Sequence, residues 1–338
     1  MHDEIIIKAI GASATQNTGA SLAGTLYDMP VTIALTGELG AGKTTFLQGF
    51  AQALDVKEHL TSPTYALEQR YTSSRGEFLH IDLYRTDGQQ SHDLLLASEH
   101  HTGIRCIEWP ERVGLEHLKK SGHVIHIDIT EGKDGSERII RTQFHDTTIP
   151  DDTQIDRWRN DARTPSHVVA HCDAVAALCD TLCDALTMRG QIIRKQAVHE
   201  AARLHDLLRF LDFRTGGRPD YTPGSEDLQH WEQFRERFPG LHHEAAAAQF
   251  ARDEGFPMIA AIVAVHGLHS RSLQKTVEEK ILYYADKRLI NDRLVTLEER
   301  FADFTQRYGN GIVTDENRAW HEDALRIEQE LFPDGVPA

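Results

Sequence analysis

Apolar residues in the first 150 positions form short runs of strand length, and segments with helical periodicity lie between several of them. This alternation predicts an α/β layer with a largely parallel sheet, because helices that connect parallel strands cover the faces of the sheet. We expect six strands, the last of them at the edge of the sheet: IIIKAI (5–10), VTIALT (31–36), FLHIDLY (78–84), IRCIEW (104–109), HVIHIDI (123–129) and ERIIRTQF (137–144).

The pattern changes near residue 151, where strand-like runs almost vanish and helical periodicity takes over. We therefore predict an α/β domain over 1–150 and an all-α domain over 151–338, with a boundary near the polar segment TTIPDDTQIDRW. RTGGRPDYTPGSED (214–227) is expected to be a polar loop. The helical runs are SHVVAHCDAVAALCDTLCDAL, QAVHEAARLHDLL, HEAAAAQFARDEG, MIAAIVAVHGL, TVEEKILYYADKRLIN and LVTLEERFADFTQRY.

Charge narrows the possible functions. The net charge of the 338-residue chain is -16, and both halves are acidic, with 13 basic against 20 acidic residues in the first 150 positions. Strong direct binding to nucleic acid is not expected, because neutralising phosphates requires a surplus of cations. No apolar run approaches the roughly 20 residues that span a bilayer, so no membrane association is expected. The acidic N-terminus lacks the basic start of a signal peptide, and we expect a cytoplasmic protein.

The segment GELGAGKT (37–44) follows an apolar strand and opens a helix, which is the context of the phosphate-binding motif G-x-x-x-x-G-K-[ST]. Backbone N–H groups of such a loop face phosphate oxygens, and the helix adds its positive end. Lys43 would reach the β- and γ-phosphates of ATP, and Thr44 would bind Mg²⁺. The predicted nucleotide-binding residues of the loop are Gly37, Glu38, Leu39, Gly40, Ala41, Gly42, Lys43, Thr44 and Thr45.

Two acids follow later strands. Asp82 in HIDLYR is a candidate for holding Mg²⁺, and Glu108 in IEWPER is a candidate for orienting the attacking water. The hydroxyl groups of TSPTY (61–65) lie in a segment that could sense the γ-phosphate, although an ordinary turn is an equally good interpretation.

These motifs, in this order and spacing, resemble the TsaE family of P-loop ATPases, which serves threonylcarbamoyladenosine (t⁶A) modification of tRNA. The resemblance covers about residues 10–145. It implies a small ATPase that binds ATP and Mg²⁺ and acts through TsaB- and TsaD-like partners, which suits the acidic charge. It also implies that Lys43, Asp82 and Glu108 serve catalysis, that Thr44, Asp82 and Glu108 bind the metal, and that Trp109 completes the nucleotide site.

The second half carries histidines and aspartates on successive apolar helices. Imidazoles and carboxylates together suit a divalent ion such as Fe, Mn, Zn or Mg. An acid among apolar residues, as in ILYYADKRLI, needs a partner because burying an unpaired charge is costly. The candidate ligands are His171, His205, Asp206, His243, His266 and Asp286, and His242 is an alternative to His243.

The order of these residues resembles that of the HD-domain metal-dependent phosphohydrolases, over about residues 160–310. The resemblance implies that Asp206 is a catalytic ligand, and that His243 and His266 are the extra ligands of members that hold two metals. In the family, a glycine and a lysine follow shortly after the His-Asp pair. The corresponding residues in this sequence are Leu208 and Arg209. Three basic residues could pair with a substrate phosphate, namely Arg209, Lys287 and Arg288.

Together the two sets of motifs predict a fusion. Its first half is an ATP-binding and ATP-hydrolysing component of t⁶A modification, and its second half is a divalent-metal phosphohydrolase for a nucleotide or another small phosphoester. An alternative is a nucleotide-dependent regulatory or scaffold protein whose HD half is inactive. A third interpretation is a helical module with incidental histidines. The presence of every ligand type that a metal site needs favours the fusion of two enzymes.

Overall fold

The computed structural model describes residues 3–119, 123–213, 221–270, 272–309 and 311–337. The chain divides into two compact units. The first unit comprises His2–Thr147 together with Ala185–Arg194, and the second comprises Thr148–Asp184 together with Lys195–Ala338. The fold class is confirmed: the first unit is an α/β layer, and the second unit is helical.

The first unit is built on one seven-stranded sheet in the order β1-β7-β6-β2-β5-β4-β3. The four central strands, β6, β2, β5 and β4, run parallel, whereas β1, β7 and β3 pair antiparallel with their neighbours. The parallel strands bring their carboxyl ends to one edge, where ligand sites of α/β proteins form. The strands are β1 (Asp3–Ile10), β2 (Val31–Thr36), β3 (Glu68–Ser73), β4 (Gly76–Asp82), β5 (Ile104–Glu108), β6 (Val124–Glu131) and β7 (Glu137–Phe144).

All six predicted strands are present, with two differences in the sheet. The expectation that β7 is the edge strand is wrong, because β7 lies between β1 and β6. The edge strand β3 was not predicted. Its sequence, EQRYTS, has no apolar run, because the strand pairs only with β4 and has no fully buried residue.

Helix α2 (Lys43–Ala53) is held against α1 (Gly11–Leu22) by two glycines. A Cβ atom at Gly49 would lie 1.8 Å from the carbonyl oxygen of Gln16, and one at Gly19 would lie 2.0 Å from that of Phe46. No other residue permits this close approach, which fixes the start of α2 at the carboxyl edge of β2. The helices of the first unit are α1 (Gly11–Leu22), α2 (Lys43–Ala53), α3 (Gly88–Ala97) and α4 (Leu115–Lys119).

The segment Ala185–Arg194 belongs to the first unit although it lies far along the chain. The Arg194 side chain is fully buried, and its guanidinium donates to both carboxylate oxygens of Asp146 over 2.6 and 2.8 Å. It also lies 4.1 Å from the ring centroid of Phe144. A buried ion pair of this kind is costly to break, because the remaining charge is left without a partner.

The second unit consists of helices and a two-residue hairpin, β8 (Leu289–Ile290) and β9 (Arg293–Leu294). Among the helices that the structure describes, none is long and apolar enough to cross a membrane. The helices that follow α4 along the chain are α5 (Asp152–Asp161), α6 (Ser166–Met188), α7 (Lys195–Leu204), α8 (Ser225–Arg237), α9 (His243–Asp253), α10 (Pro257–Ala264), α11 (Val277–Lys287), α12 (Leu297–Gly309) and α13 (Asp315–Leu331).

The six predicted helices of this region correspond to α6, α7, α9, α10, α11 and α12, whereas α5, α8 and α13 were not predicted. Residues 214–220 of the expected polar loop lie outside the described residues, and the expectation is wrong for 225–227, where α8 begins. Helix α8 is mostly polar and buries only Trp231, so its sequence lacks a broad apolar stripe.

Candidate functional sites

The loop between β2 and α2 curves back on itself through glycines. Gly37, Gly40 and Gly42 have positive φ values of 138°, 83° and 105°. A Cβ atom at Gly37 would also lie 2.3 Å from the carbonyl oxygen of Ile129. Because other residues rarely adopt such angles, the sequence GELGAGK folds here into a loop rather than a strand or helix extension. The loop directs the N-terminus of α2 toward the carboxyl edge of the sheet.

The Lys43 ammonium lies inside the curve of this loop. Its Nζ donates hydrogen bonds to the carbonyl oxygens of Gly37 at 2.7 Å and Glu38 at 3.0 Å, and lies 4.0 Å from the ring centroid of Trp109. Burial lowers the pKa of Lys43, while the negative charge of Glu108 works in the opposite direction. The charged amine is thus held where the motif requires it, with an aromatic face on one side.

The two acids of the first site lie side by side, because Asp82 and Glu108 are partners in the register of β4 and β5. Oε1 of Glu108 accepts a hydrogen bond from Thr44 Oγ1 at 3.0 Å and lies 3.0 Å from Nε2 of His80. His80 is fully buried and Glu108 nearly so. Sequence analysis did not identify His80 as a site residue. The one feature that could have indicated it is its position two residues before Asp82, on the same face of a strand.

Asp82 is fixed by hydroxyl groups of the preceding loop. Its Oδ2 accepts hydrogen bonds from Ser62 at 2.6 Å and Thr64 at 2.7 Å, and its Oδ1 accepts one from the backbone N–H of Tyr84 at 2.9 Å. The hydroxyls of TSPTY therefore bind the acid that was predicted to hold Mg²⁺, which links this loop to the site.

Trp109 has a left-handed backbone conformation with a φ of 61°, and its ring lies 4.9 Å from that of Tyr84. Thr45 lies in the first turn of α2, Leu39 is exposed at the tip of the loop, and Ala41 is buried. The structure thus brings the predicted nucleotide-binding residues to one corner of the sheet. It adds Arg138, which the sequence did not indicate: its Nε donates to the carbonyl oxygen of Ala41 at 2.9 Å.

In the second unit, five separate segments bring histidines and aspartates together. His171 lies on α6, His205 and Asp206 follow α7, and the others lie at the start of α9, after α10 and on α11. Two groups of possible ligand atoms lie within 4.8 Å of one another, and they share Asp206: one contains His171, His205 and Asp206, and the other contains Asp206, His243 and His266. Asp286 joins the first group through Oδ1, which lies 3.1 Å from His171 Nε2.

Three of these imidazoles are oriented by backbone carbonyl groups. The Nδ1 atom of His171 lies 2.6 Å from the Asn291 oxygen, that of His205 lies 2.7 Å from the Ala202 oxygen, and that of His266 lies 2.6 Å from the Val263 oxygen. A carbonyl oxygen only accepts, so each Nδ1 is the donor. The neutral ring then carries its lone pair on Nε2, which is how metal-binding histidines are commonly held.

The Nε2 atoms face carboxylates rather than donors. His205 Nε2 is buried without a hydrogen-bond partner and lies 3.8 Å from Asp286 Oδ1 and 4.0 Å from Asp206 Oδ2. Lone pairs of rings and carboxylates repel at such distances unless a cation or a proton lies between them. The donor set and its orientation therefore fit a divalent metal ion.

The structure distinguishes His243 from His242. His243 is buried, with Nε2 at 2.9 Å from Asp206 Oδ1 and Nδ1 at 2.5 Å from Asp212 Oδ2. The His242 side chain is 78% exposed, and its Nδ1 lies 3.1 Å from Asp212 Oδ1. Asp212 and Glu244 form a third group with His243 that sequence reasoning missed. In the sequence, only the adjacent residues His242, His243 and Glu244 indicated this group.

Burial and charge set the protonation of the cluster. Burial lowers the pKa of His205 to about 3, so this ring stays neutral. Burial also opposes protonation of His171 and His243, but the carboxylates of Asp286 and Asp206 raise the pKa values of the two rings above their usual value. The pKa values of both aspartates lie well below normal despite burial, because of the cations around them.

Of the three basic residues considered for phosphate binding, Arg209 is partly exposed at the cluster, with Nη1 2.9 Å from His243 Nδ1. Lys287 is 1% exposed, and its Nζ donates to Asp286 Oδ2 and the carbonyl oxygen of His266. Arg288 donates to the carbonyl oxygen of Val295. Lys287 thus compensates the buried charge of Asp286 and has no access to a substrate.

A glycine loop between a strand and a helix, with acids at the ends of neighbouring strands, defines a P-loop nucleotide-binding unit; the second unit carries a histidine–aspartate cluster of the HD type. Residues 10–140 match the family model of the threonylcarbamoyl adenosine biosynthesis protein TsaE, and residues 168–289 match that of the HD domain. The chain belongs to the TsaE family and carries an HD domain in addition.

Curated relatives named tRNA threonylcarbamoyladenosine biosynthesis protein TsaE include proteins from Nostoc sp. and Aquifex aeolicus. The protein from Nostoc sp. is 38% identical over 139 residues, which cover 40% of this chain and 83% of the relative. The protein from Aquifex aeolicus is 36% identical over 111 residues, which cover 32% of this chain and 76% of the relative. A crystal structure of Bacillus subtilis YdiB aligns with 43% of this chain and 87% of its own, at 24% identity and a TM-score of 0.34.

Proposed function

We propose that the chain combines an ATP-binding and ATP-hydrolysing component of t⁶A modification of tRNA with a divalent-metal phosphohydrolase of small phosphoesters. Membership of the TsaE family supports the first activity. The carbonyl-oriented histidines around Asp206 support the second. Such a protein would work in the cytoplasm. The acidic first unit would act through TsaB- and TsaD-like proteins rather than by binding tRNA directly.

In the nucleotide site, the convergence of Lys43, Thr44, Asp82 and Glu108 carries the proposal. The loop amides and Lys43 bind the phosphates. Thr44 and Asp82 would hold Mg²⁺, which would neutralise the charge that develops on the phosphoryl group. Glu108 orients the water for attack, and buried His80 fixes the Glu108 carboxylate.

A cellular test addresses the tRNA pathway. The full chain and its Lys43→Ala variant are expressed in bacteria depleted of their own TsaE, and t⁶A in total tRNA is measured by mass spectrometry. We expect the unaltered chain to restore t⁶A and the variant to fail. A parallel Asp206→Ala variant should still restore it. If the unaltered chain fails while TsaE from the same host restores t⁶A, the proposed role is wrong.

In the second unit, His171, His205, Asp206, His243, His266 and Asp286 would hold one or two divalent ions. Such an ion supplies Lewis acidity and lowers the pKa of water toward neutrality. In the hydrolysis, a water oxygen bonds to phosphorus, the bond from phosphorus to the ester oxygen breaks, and that oxygen leaves as an alcohol with a proton. Arg209, beside His243, would pair with phosphate oxygens.

The phosphohydrolase is tested in full-length protein that carries Lys43→Ala, so that the nucleotide site does not contribute. Protein loaded with Mn²⁺ or Fe²⁺ is screened against phosphomonoesters, with Asp206→Ala in parallel. Phosphate release that Asp206→Ala abolishes is the expected result. If bound metal is found but no phosphoester is hydrolysed, the helical unit is a metal-dependent sensor or scaffold, and the nucleotide unit remains the catalyst.

A further inference from the structure

Three aromatic side chains of the second unit contact one another at the protein surface. The rings of His167 and Tyr221 lie 4.7 Å apart between centroids, and those of Phe213 and Tyr221 lie 6.1 Å apart. His167 and Phe213 are nearly parallel, at 16° and 6.3 Å. We name these residues, His167, Phe213 and Tyr221, the ring cluster. None of these three residues is fully buried.

The ring cluster is supported from behind by the core. Phe213 packs against Trp231 at 5.9 Å, and Trp231 is fully buried and stacks on Phe210 at 4.7 Å. The two inner rings thus account for the hydrophobic packing at this place. The outer rings form a wall that is backed by buried aromatic side chains, an arrangement on which a planar ligand could stack.

The chain places this wall beside the candidate metal centre. His167 lies four residues before His171 on α6, so the two side chains occupy the same face of the helix, one turn apart. Phe213 directly follows Asp212, whose carboxylate lies 2.5 Å from His243. The ring cluster therefore lies one helical turn from His171, a candidate ligand of the first group. It is also next in sequence to Asp212, which contacts His243 of the second group.

A wall of rings beside a phosphate-cleaving centre matches the two ends of a nucleotide. Bases stack on aromatic side chains because every base presents a π-face, and imidazole and phenol rings also offer polar edges. A sugar phosphate or an open-chain phosphoester has no planar π-face that could stack on these rings.

We propose that the ring cluster binds the base of a nucleotide whose phosphate lies at the histidine–aspartate cluster, so that the substrate of the second unit is a nucleotide. This inference deepens the proposed phosphohydrolase function and rests on it. Phe213 and Tyr221 stack on the base, and His167 completes the wall.

The experiment compares AMP with ribose 5-phosphate, which lacks only the base, in Mn²⁺-loaded full-length protein that carries Lys43→Ala. The test variant is Phe213→Leu/Tyr221→Leu, which removes two rings and keeps apolar side chains. Phe234→Leu is the matched control, because Phe234 is also partly exposed and packs on Phe210 outside the ring cluster. Metal content is measured in every sample.

We expect kcat/KM for AMP to exceed that for ribose 5-phosphate. The ratio should fall by about tenfold or more in the double variant and remain unchanged in Phe234→Leu. An equal loss for both compounds, or no preference for AMP in the parent protein, would overturn the inference. If neither compound is hydrolysed, the affinities of the two compounds are measured by calorimetry; a preference for AMP that the double variant loses supports the inference, and equal affinities overturn it.

Discussion

The hydroxyl group of Thr44 donates a hydrogen bond to Oε1 of Glu108 over 3.0 Å and so joins the first turn of α2 to the end of β5. The same carboxylate oxygen lies 3.0 Å from His80. The threonine that would bind Mg²⁺ and the acid that would orient water are thus in direct contact. Binding of Mg²⁺ by Thr44 would require this hydrogen bond to change, so the position of Glu108 depends on what occupies the loop.

Replacing Glu108 separates nucleotide binding from hydrolysis. Glu108→Gln keeps an oxygen for Thr44 but removes the negative charge, so ATP hydrolysis should fall by at least about a hundredfold while ATP still binds. Hydrolysis is followed as phosphate release in the Asp206→Ala background, and binding is followed by calorimetry. Glu111→Gln, an exposed acid three residues further on, should have little effect. Similar losses in the two variants would argue against a role for Glu108 in positioning water.

The histidine pair at the start of α9 offers a matched test of the metal centre. His243→Ala should weaken metal binding by about a hundredfold or more, since changes to residues that only support a ligand already cost ten- to a hundredfold. His242→Ala should bind metal normally, because its side chain is exposed. Metal content after equilibration with Mn²⁺ and desalting is measured by mass spectrometry. The reverse result would assign the ligand to His242.

The pH dependence of metal binding follows from the protonation of the cluster. Metal binding requires neutral imidazoles. The pKa values of His171 and His243 are raised above 6.5, so protons compete with metal at these rings as the pH falls through the raised values. Each protonated ring should weaken affinity by up to about tenfold per pH unit. His205, with a pKa of about 3, adds nothing to this slope in the neutral range.

The slope can be measured with a competing chelator at pH 8, 7 and 6. The difference should be smaller in His243→Ala, which has lost one of the two competing rings. A slope that is unaffected by this substitution would show that His243 does not take up the competing proton.

Arg194 should be essential to the stability of the first unit. Arg194→Met leaves the Asp146 carboxylate without its buried partner and should cost about 3–5 kcal/mol. Lys195→Met is the control, because its ion pair with Asp184 is solvent-exposed and should contribute less than about 1 kcal/mol. Calorimetry of the full chain records unfolding, and added ATP identifies the transition of the first unit by shifting it upward. Equal shifts in the two variants would contradict the assignment.

The features that the sequence revealed are local. The loop from Gly37 to Thr44 is one continuous motif between a strand and a helix, so its fold follows from its own glycines. The candidate metal ligands were visible in the sequence because each lies within, directly after or at the start of a segment with helical periodicity. Pairing across the sheet was not visible: His80 matters only because β4 and β5 place it beside Glu108, and nothing in its own segment indicates that neighbour.

Two further features depend on contacts between distant parts of the chain. Asp212 joins the metal cluster through His243, which lies 31 residues away. The segment Ala185–Arg194 follows the predicted boundary near residue 151 by more than 30 residues, yet it belongs to the first unit, where Arg194 meets Asp146. A protein cut at residue 150 would therefore lose Arg194 from the first unit, and a fragment beginning at 151 would carry it without its partner.

The backbone carbonyls that hold His171, His205 and His266 affect how fast metal ions bind and which ions bind first. A ring fixed in one tautomer and one orientation has already lost its rotational freedom during folding, so capture of an ion involves little further ordering of the protein. Binding should then be limited by the dehydration of the ion rather than by motion of the chain. Ions that exchange water slowly, such as Ni²⁺ or Mg²⁺, would enter far more slowly than Mn²⁺ or Zn²⁺, whatever their final affinity.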